Sequence, residues 1–493
     1  MRRKATGSLE QKQKNDFIME AYPKVCIQLP VYCEPDHVKD LIEKVSKISW
    51  PRDSLDIQVL DDSNDETSFF AAQAIAKVRS EQPDLNIQLI HRESREGFKA
   101  GALNYGMNKS DAEYFAVFDC DFRPTEDFLQ QLMPSFFQGR KVAVVQAAWI
   151  YRNPVQNLLT RLQRMLLNFH FFVEQDARWR QNLPLNFNGT AGIWSREAIE
   201  AGGGWSSRTV TEDLYLSYLV QMKGWEIVFH TDVQISSELP ASLSSFLVQQ
   251  RRWARGNGQV GRLLWAKIFM SDWNLSQKRD AIIHLLGYGY GGLIAGIYFL
   301  MPLWLPLRAK WLESTSFFEP ARLFDSGLWL VLMILFFSVY SSRRIFTGEN
   351  TSVVSRLWNT FFLLITAPTI AVTTIGSYLQ GIFIDSDKKV VEFKRTPKST
   401  RYSLLAKRNS LIIGGMTLLF AYSFIIAILQ GQYLFALMMF FHGIGSFLLL
   451  RTEEPSRNES LMSSKDGALV PNPLKKKIAQ KVNSQSLKLR EEL

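Results

Sequence analysis

The chain has 493 residues, 46% of them apolar and 13% aromatic, with a formal net charge of +10. That content supplies a core and excludes disorder for most of the chain. The positive charge lies beside apolar runs and in the C-terminal tail rather than in a binding stripe, so no nucleic-acid partner is expected. Cys26, Cys33 and Cys120 form no CxxC pair and have no histidines at metal spacing, which excludes a disulfide framework or a zinc site and implies a reducing setting for the first half.

Residues 1–22 read as a basic tail with no apolar run after it, hence no signal peptide. From Lys24, β-rich runs alternate with amphipathic stretches. Strands are predicted at VCIQLPVY, DIQVLDD, NIQLIHR, EYFAVFDCD and VAVVQAAW, with helices over 36–48, 67–81, 99–109 and 125–137 between them. Strand, helix, strand repeated in this way predicts an α/β, mainly parallel, doubly wound sheet over 23–265, whose ligand site lies outside the carboxyl ends of the strands. Asp61, Asp62, Asp119 and Asp121 fall at those ends.

The second half holds apolar runs at 281–306, 327–342, 410–429 and 433–450, each read as a span with its flanks. The run 357–384 contains Pro368, Gly376 and several Thr and Ser residues, and counting it as a span would place the basic stretch 388–408 outside. It is therefore expected to be interfacial or re-entrant, which leaves about four transmembrane helices within a membrane domain at 266–450 and keeps the basic segments cytoplasmic. Residues 451–493 read as a basic, disordered tail.

Asp119-Cys120-Asp121 ends an apolar strand. Two carboxylates one residue apart there suit a divalent cation, Mg2+ or Mn2+, shared with a diphosphate, although DxD also occurs in solvated turns. Lys99, Gly101 and Asn104 open a helix, where a cation and backbone donors suit phosphate. Downstream come FNGTAG at 187–192, Thr211-Glu212-Asp213 and Gln249-Gln250-Arg251-Arg252-Trp253. TED also fits a capped helix start, and QQRRW also fits an amphipathic helix at a membrane surface.

The ordered set DD, KAG, DxD, NGT, TED and QxxRW resembles the processive inverting glycosyltransferases of the cellulose synthase and hyaluronan synthase type. The text between, including NGTAGIWSREAIEAGGGW and SELPASLSSFLVQQRRWARG, is most similar to the cellulose synthase-like mannan and glucan synthases. The resemblance implies a nucleotide-sugar-binding catalytic domain facing the cytoplasm, a multi-pass anchor in a plasma or Golgi-type membrane, and transfer of glucose or mannose from a UDP- or GDP-hexose to a growing β-glucan or β-mannan. A glycolipid acceptor receiving one sugar is the alternative. It further implies that Asp213 is the general base, and that Asp62, with Asp61 beside it, holds the nucleoside while Tyr32 contacts the base. Lys99 then sits near the diphosphate, Asp119 and Asp121 at the metal, and Glu212 beside the donor. Gln249, Arg252 and Trp253 form the acceptor end, and Thr396 and Lys398 in FKRTPK resemble a gating loop. Cys33 and Arg395 depart from the pattern, relatives usually showing Asn and an aliphatic residue there. No helices precede the catalytic region as they do in cellulose synthases, and no cyclic-nucleotide-binding domain follows the membrane region.

Two other classes are disfavoured. The apolar runs carry essentially no charge beyond His284 and His442, which disfavours a transporter, and no GxGxxG follows the first strand, which disfavours a dinucleotide-dependent oxidoreductase.

Overall fold

The computed structural model describes residues 21–293, 352–385, 403–430 and 433–452, with the isolated positions 296, 300, 307, 342 and 345. Expectations for the tail 1–20, the run 327–341, the FKRTPK segment with Thr396 and Lys398, and the tail 453–493 lie outside these residues.

The first half begins with β1 (Val25–Val31), α1 (Pro35–Val45), β2 (Leu55–Asp61), α2 (Thr67–Glu81), β3 (Asn86–His91), α3 (Phe98–Asn108) and β4 (Tyr114–Val117). β1 and β2 are buried over nearly their whole length, with Gln28 and Gln58 hydrogen-bonded to each other inside, whereas β3 at the sheet edge alternates buried and exposed residues. In α1, Pro35 occupies the first turn, where its missing N–H is not needed, and Val38, Leu41, Ile42 and Val45 form the buried stripe. Next come α4 (Phe128–Leu132), β5 (Val142–Tyr151), α5 (Leu158–Phe169), a π-turn at His170–Gln175, α6 (Asp176–Arg180), β6 (Gly192–Ser195), α7 (Arg196–Gly202), α8 (Glu212–Met222) and β7 (Glu226–Ser237).

The sheet order is β3-β2-β1-β4-β6-β5-β7. It is mainly parallel, as expected, but β6 runs antiparallel to both β4 and β5, and β6, β7 and the helices over 158–180 were not anticipated. β6 has four residues, and β7 opens on Glu226 and carries His230, Thr231 and Asp232 in its interior, so neither shows a clean period of two. β4 stops at Val117, which places Asp119 and Asp121 in the following turn, closed by the Phe122 N–H donating to the Asp119 carbonyl (3.0 Å).

Beyond the sheet, α9 (Leu243–Met270) leads to α10 (Leu275–Leu285), followed by α11 (Val353–Leu379) with a π-turn at Gln380–Ile384, α12 (Ser403–Leu429) and α13 (Tyr433–Arg451). Among the described residues, the helices Val353–Ile384 and Arg408–Leu429 are long and apolar enough to cross a bilayer, and Phe435–Arg451 is a shorter apolar helix. The stretch 357–384, expected to be interfacial or re-entrant, is helical throughout despite Pro368, with no break of the kind a re-entrant segment requires. Close packing supports it there: Thr369 hydrogen-bonds Ser446 of α13, and Gly445 lies so near that an added Cβ would stand 2.3 Å from the Ile365 carbonyl oxygen.

Candidate active site

One pocket opens at the carboxyl ends of β1, β2, β4 and β5, and it gathers Tyr32, Asp62, Lys99, Asp119, Asp121, Glu212, Asp213, Gln249, Arg252 and Trp253. Residues spread over more than 220 positions of sequence thus meet at the strand ends, where a doubly wound sheet places its ligand.

The two adjacent aspartates part company. Successive strand residues face opposite sides, and Asp61, the last residue of β2, turns inward to accept from the Ser68 hydroxyl (2.5 Å), the Ser63 N–H (2.9 Å) and the His91 ring (2.9 Å). It is fully buried and does not line the pocket, so its expected contact with the nucleoside is corrected to a structural one. Asp62 does line the pocket, with Arg92 donating to both its oxygens at 2.7 and 2.6 Å. Beside it the Arg95 guanidinium stacks 3.4 Å from the centre of the Tyr32 ring. Cys33 adopts a φ of 52°, a region that Asn tolerates better than most residues, which accounts for Asn in the resembling family.

The KAG segment divides its work. Lys99 Nζ donates to Asp119 Oδ1 (2.5 Å) and to the Gly189 carbonyl (2.8 Å). Burial lowers its pKa, but the charges of Asp119, Glu212 and Asp213 prevail and the net shift is upward. Gly101 is a packing residue, since a Cβ there would lie 2.0 Å from the Glu96 carbonyl oxygen. Asn104 does not reach phosphate either: its amide holds both the N–H and the carbonyl of Trp205.

The NGT turn forms the floor. The Thr190 hydroxyl accepts from the Asp119 N–H (2.9 Å) and fixes the start of the DxD turn, Gly189 takes a φ of +86°, and Asn188 lines the pocket. Asp121 Oδ2 accepts from the Ser237 hydroxyl (3.0 Å) at the end of β7.

Glu212 and Asp213 open α8, but Thr211 makes no side-chain cap, so the expected alternative of a simple capped start does not account for both acids. Asp213 Oδ1 accepts from the Leu214 N–H (2.8 Å), and Glu212 is only 5% exposed. Burial, then the neighbouring Asp213 charge, pushes the Glu212 carboxyl up to about 7 against Lys99 and Arg252. Asp213 is likewise raised by burial above its ordinary value.

The QQRRW helix, α9, presents two faces. Gln249, Arg252 and Trp253 line the pocket. Arg251 points the other way, donating to the Thr373 carbonyl of α11 (3.0 Å) and to Asn409 Oδ1 of α12 (2.9 Å), and Gln250 accepts from the Tyr288 hydroxyl (3.0 Å). Burial lowers the Arg252 pKa, opposed by the charges of Glu212, Asp119, Asp213 and Asp121 around it.

The sequence reading missed Arg95, Trp149, Tyr151 and Leu167, all of which line the pocket, and it named the NGT motif without giving Asn188 a role. Trp149 and Tyr151 lie two apart on β5 and so share a face; the alternation of that strand was the available signal. Among the described residues, Trp149 Nε1, Tyr151 Oη and Asn188 Nδ2 are buried without a hydrogen-bond partner. Such groups cost about 1–3 kcal/mol each until a ligand or water satisfies them.

Asp119 and Asp121 offer hard oxygen donors, and no group of three His, Cys, Asp or Glu side chains among the described residues is arranged to hold a metal ion. This set fits a Mg2+- or Mn2+-like cation that completes its coordination with water and phosphate oxygens.

Fold and pocket together define the class, a mixed α/β glycosyltransferase domain. The family model described as glycosyl transferase family group 2 matches residues 114–375, more than half of the chain, and the chain belongs to that family. It is similar to a probable glucomannan 4-beta-mannosyltransferase of Arabidopsis thaliana, 39% identical over 250 residues, covering 50% of this chain and 46% of the relative. A glucomannan 4-beta-mannosyltransferase of Oryza sativa subsp. japonica is 36% identical over 300 residues, covering 57% of each chain. The chain thus spans about half the length of the curated relatives it matches. Among solved structures, the mannosyltransferase PcManGT from Pyrobaculum calidifontis, in complex with GDP-Man and Mn2+, is 19% identical with a TM-score of 0.46 over 77% of this chain and 94% of that one.

Proposed function

We propose that this chain is a membrane-bound inverting hexosyltransferase that adds mannose, or glucose, from a nucleoside-diphosphate hexose to a growing β-mannan- or glucomannan-type polysaccharide. The observation that carries the reading is the meeting in one pocket of the Asp119–Asp121 pair, the half-buried Asp213 and the Trp253 ring. The identity to glucomannan mannosyltransferases supports mannose as the first sugar to test.

Asp119 and Asp121 would hold a divalent cation, which when bound neutralises charge on the departing diphosphate. Lys99 and Arg252 add fixed positive charge on the same side. Asp62 with Arg92, and Tyr32 under Arg95, form the nucleoside end. Trp253, Trp149 and Tyr151 supply ring faces and polar edges, a surface suited to a pyranose with its apolar face and rim of hydroxyls. Asp213 takes the proton from the acceptor hydroxyl as that oxygen bonds to the anomeric carbon and the bond from that carbon to the phosphate oxygen breaks on the opposite face. Its raised pKa makes it a stronger base than an ordinary aspartate.

The membrane assignment is supported by the outer face of α12, where Leu411, Leu418, Tyr422, Ile425 and Leu429 stand exposed along one stripe. The test is transfer by isolated membranes from labelled GDP-mannose, GDP-glucose and UDP-glucose, with the product digested by β-mannanase. A mannanase-sensitive polymer is expected. A lipid-linked monosaccharide would replace this reading with glycolipid synthesis, and no transfer from any donor would overturn it.

A further inference from the structure

α5 does not run straight into α6. At His170–Gln175 the helix widens into a π-turn, a feature that costs regular hydrogen bonding and recurs at functional sites. His170 and Glu174 sit on this turn, and neither lines the pocket. His170 Nδ1 lies 2.9 Å from Glu174 Oε2, and its Nε2 lies 3.1 Å from Asn188 Oδ1. Behind Glu174, Arg178 reaches its other oxygen at 3.4 Å and is itself held by Asp280 through two hydrogen bonds at 2.9 and 2.8 Å. A chain of polar contacts therefore runs from Asp280 on α10 through Arg178, Glu174 and His170 to Asn188 in the NGT turn.

Asn188 is fixed from every other side as well. Its N–H donates to Gln146 Oε1 (2.8 Å), and Asn186 Nδ2 donates to its Oδ1 (2.6 Å). With the oxygen committed to His170 and Asn186, the amide nitrogen is left buried, unpartnered among the described residues, on a residue that lines the pocket. Asn188 adjoins Gly189, whose carbonyl is bonded to Lys99 and whose Cα faces Asp213, so it stands between the diphosphate end and the base.

Resting on the function proposed above, we propose that Asn188 hydrogen-bonds a hydroxyl of the donor hexose, and that the His170–Glu174 pair on the π-turn is a positioning device that fixes the Asn188 amide for that contact. With a proton on each ring nitrogen, the imidazole donates through Nδ1 to the Glu174 carboxylate and through Nε2 to Asn188 Oδ1, holding one end of the amide so that the other is free for the sugar. The site thereby reads the sugar and not the nucleotide.

The experiment compares wild type, Asn188→Ala, His170→Gln and the double variant, measuring KM and kcat for the nucleotide-sugar and, in parallel, binding of the free nucleoside diphosphate. Melting temperatures are matched first. Asn188→Ala and His170→Gln are each expected to lower kcat/KM about 10-fold or more with nucleoside diphosphate affinity unchanged, and the double variant to be no worse than Asn188→Ala, because His170 acts through Asn188. Additive losses, or equal loss of nucleoside diphosphate binding, would assign His170 a merely structural role. Normal kinetics in Asn188→Ala would overturn the sugar contact while leaving the transferase reading intact; a wild type that transfers no hexose would overturn both.

Discussion

Asp213 Oδ2 lies 2.7 Å from where a Cβ on Gly189 would stand, so the proposed base and the floor of the pocket are in contact with no room for a methyl group. Gly189 also holds a φ of +86°, where an L side chain is strained. Gly189→Ala is therefore expected to displace the carboxylate and tilt the carbonyl that Lys99 binds. Misplacement by about 1 Å costs on the order of 10²-fold in rate. Steady-state transfer with matched circular dichroism checks this, and wild-type turnover in Gly189→Ala would show that Asp213 does not need its present position.

The DxD turn is tied to the NGT turn through Thr190 and to β7 through Ser237. Asp121→Ala should leave the fold intact and reduce transfer by about 10²-fold or more, since a coordination site for a cation on the leaving diphosphate is lost. EDTA should inhibit the wild type reversibly, with Mg2+ or Mn2+ restoring the rate. Full activity in EDTA would remove the cation from the mechanism.

What the sequence disclosed and what it withheld follow from range. DxD, TED and QxxRW were legible because each groups its side chains within about one turn, and strands β1 to β5 because they are short runs rich in Val, Ile, Leu and aromatic residues separated by amphipathic stretches. The split between Asp61 and Asp62 was legible in principle from strand alternation, yet only the placing of Ser68 and His91 around Asp61 decides which of the two faces inward. The approach of His170 to Asn188 crosses 18 residues and depends on a π-turn, which has no sequence period. The fate of 357–384 turned on charge in a segment beyond it, whereas its helix is secured by contacts with α9 and α13, far away in the chain.

Arg255, two residues past Trp253, donates to both oxygens of Asp385 at 2.9 and 2.5 Å, and Gln259 adds a third bond at 2.6 Å. Asp385 closes the π-turn after α11, so this clamp ties the helix that carries Trp253 to the end of the longest apolar helix among the described residues. The helices cross tightly: a Cβ on Gly258 would lie 2.4 Å from the Tyr378 carbonyl oxygen. Asp385→Ala is expected to destabilise the protein by about 1.5–3 kcal/mol, the usual worth of a hydrogen bond to a charged group, and to raise the acceptor KM. Arg255→Lys should not restore the clamp, because an ammonium cannot match the planar fork. Thermal unfolding in detergent, with acceptor titrations, tests both; an unchanged melting temperature in Asp385→Ala would show the clamp to be dispensable.

The last prediction concerns pH. Glu212 and Asp213 begin α8 side by side; burial and the Asp213 charge raise Glu212 to about 7, and desolvation, with the Asp119 charge, raises Asp213 above its ordinary value. A base must be ionised to accept a proton, and the Asp213 carboxyl is raised, so transfer is expected to fall at a higher pH than the value near 4 where a free aspartate titrates. Asp213→Asn keeps the shape and removes the base; transfer should fall about 10²–10⁴-fold while donor binding persists. The same shifts bear on stability with a definite sign. A carboxyl whose folded pKa is raised favours the folded state below its unfolded pKa of about 4.3, and that contribution is lost as pH rises through the folded value near 7. Glu212→Gln, which mimics the neutral acid, should therefore gain melting temperature relative to wild type above pH 7 and lose that advantage below about 4.3. Rate profiles and melting curves over pH 4–9 measure both limbs. A wild-type rate that holds level down to pH 5, or a Glu212→Gln difference independent of pH, would show that the pair is ionised throughout and that the cations around it outweigh its burial.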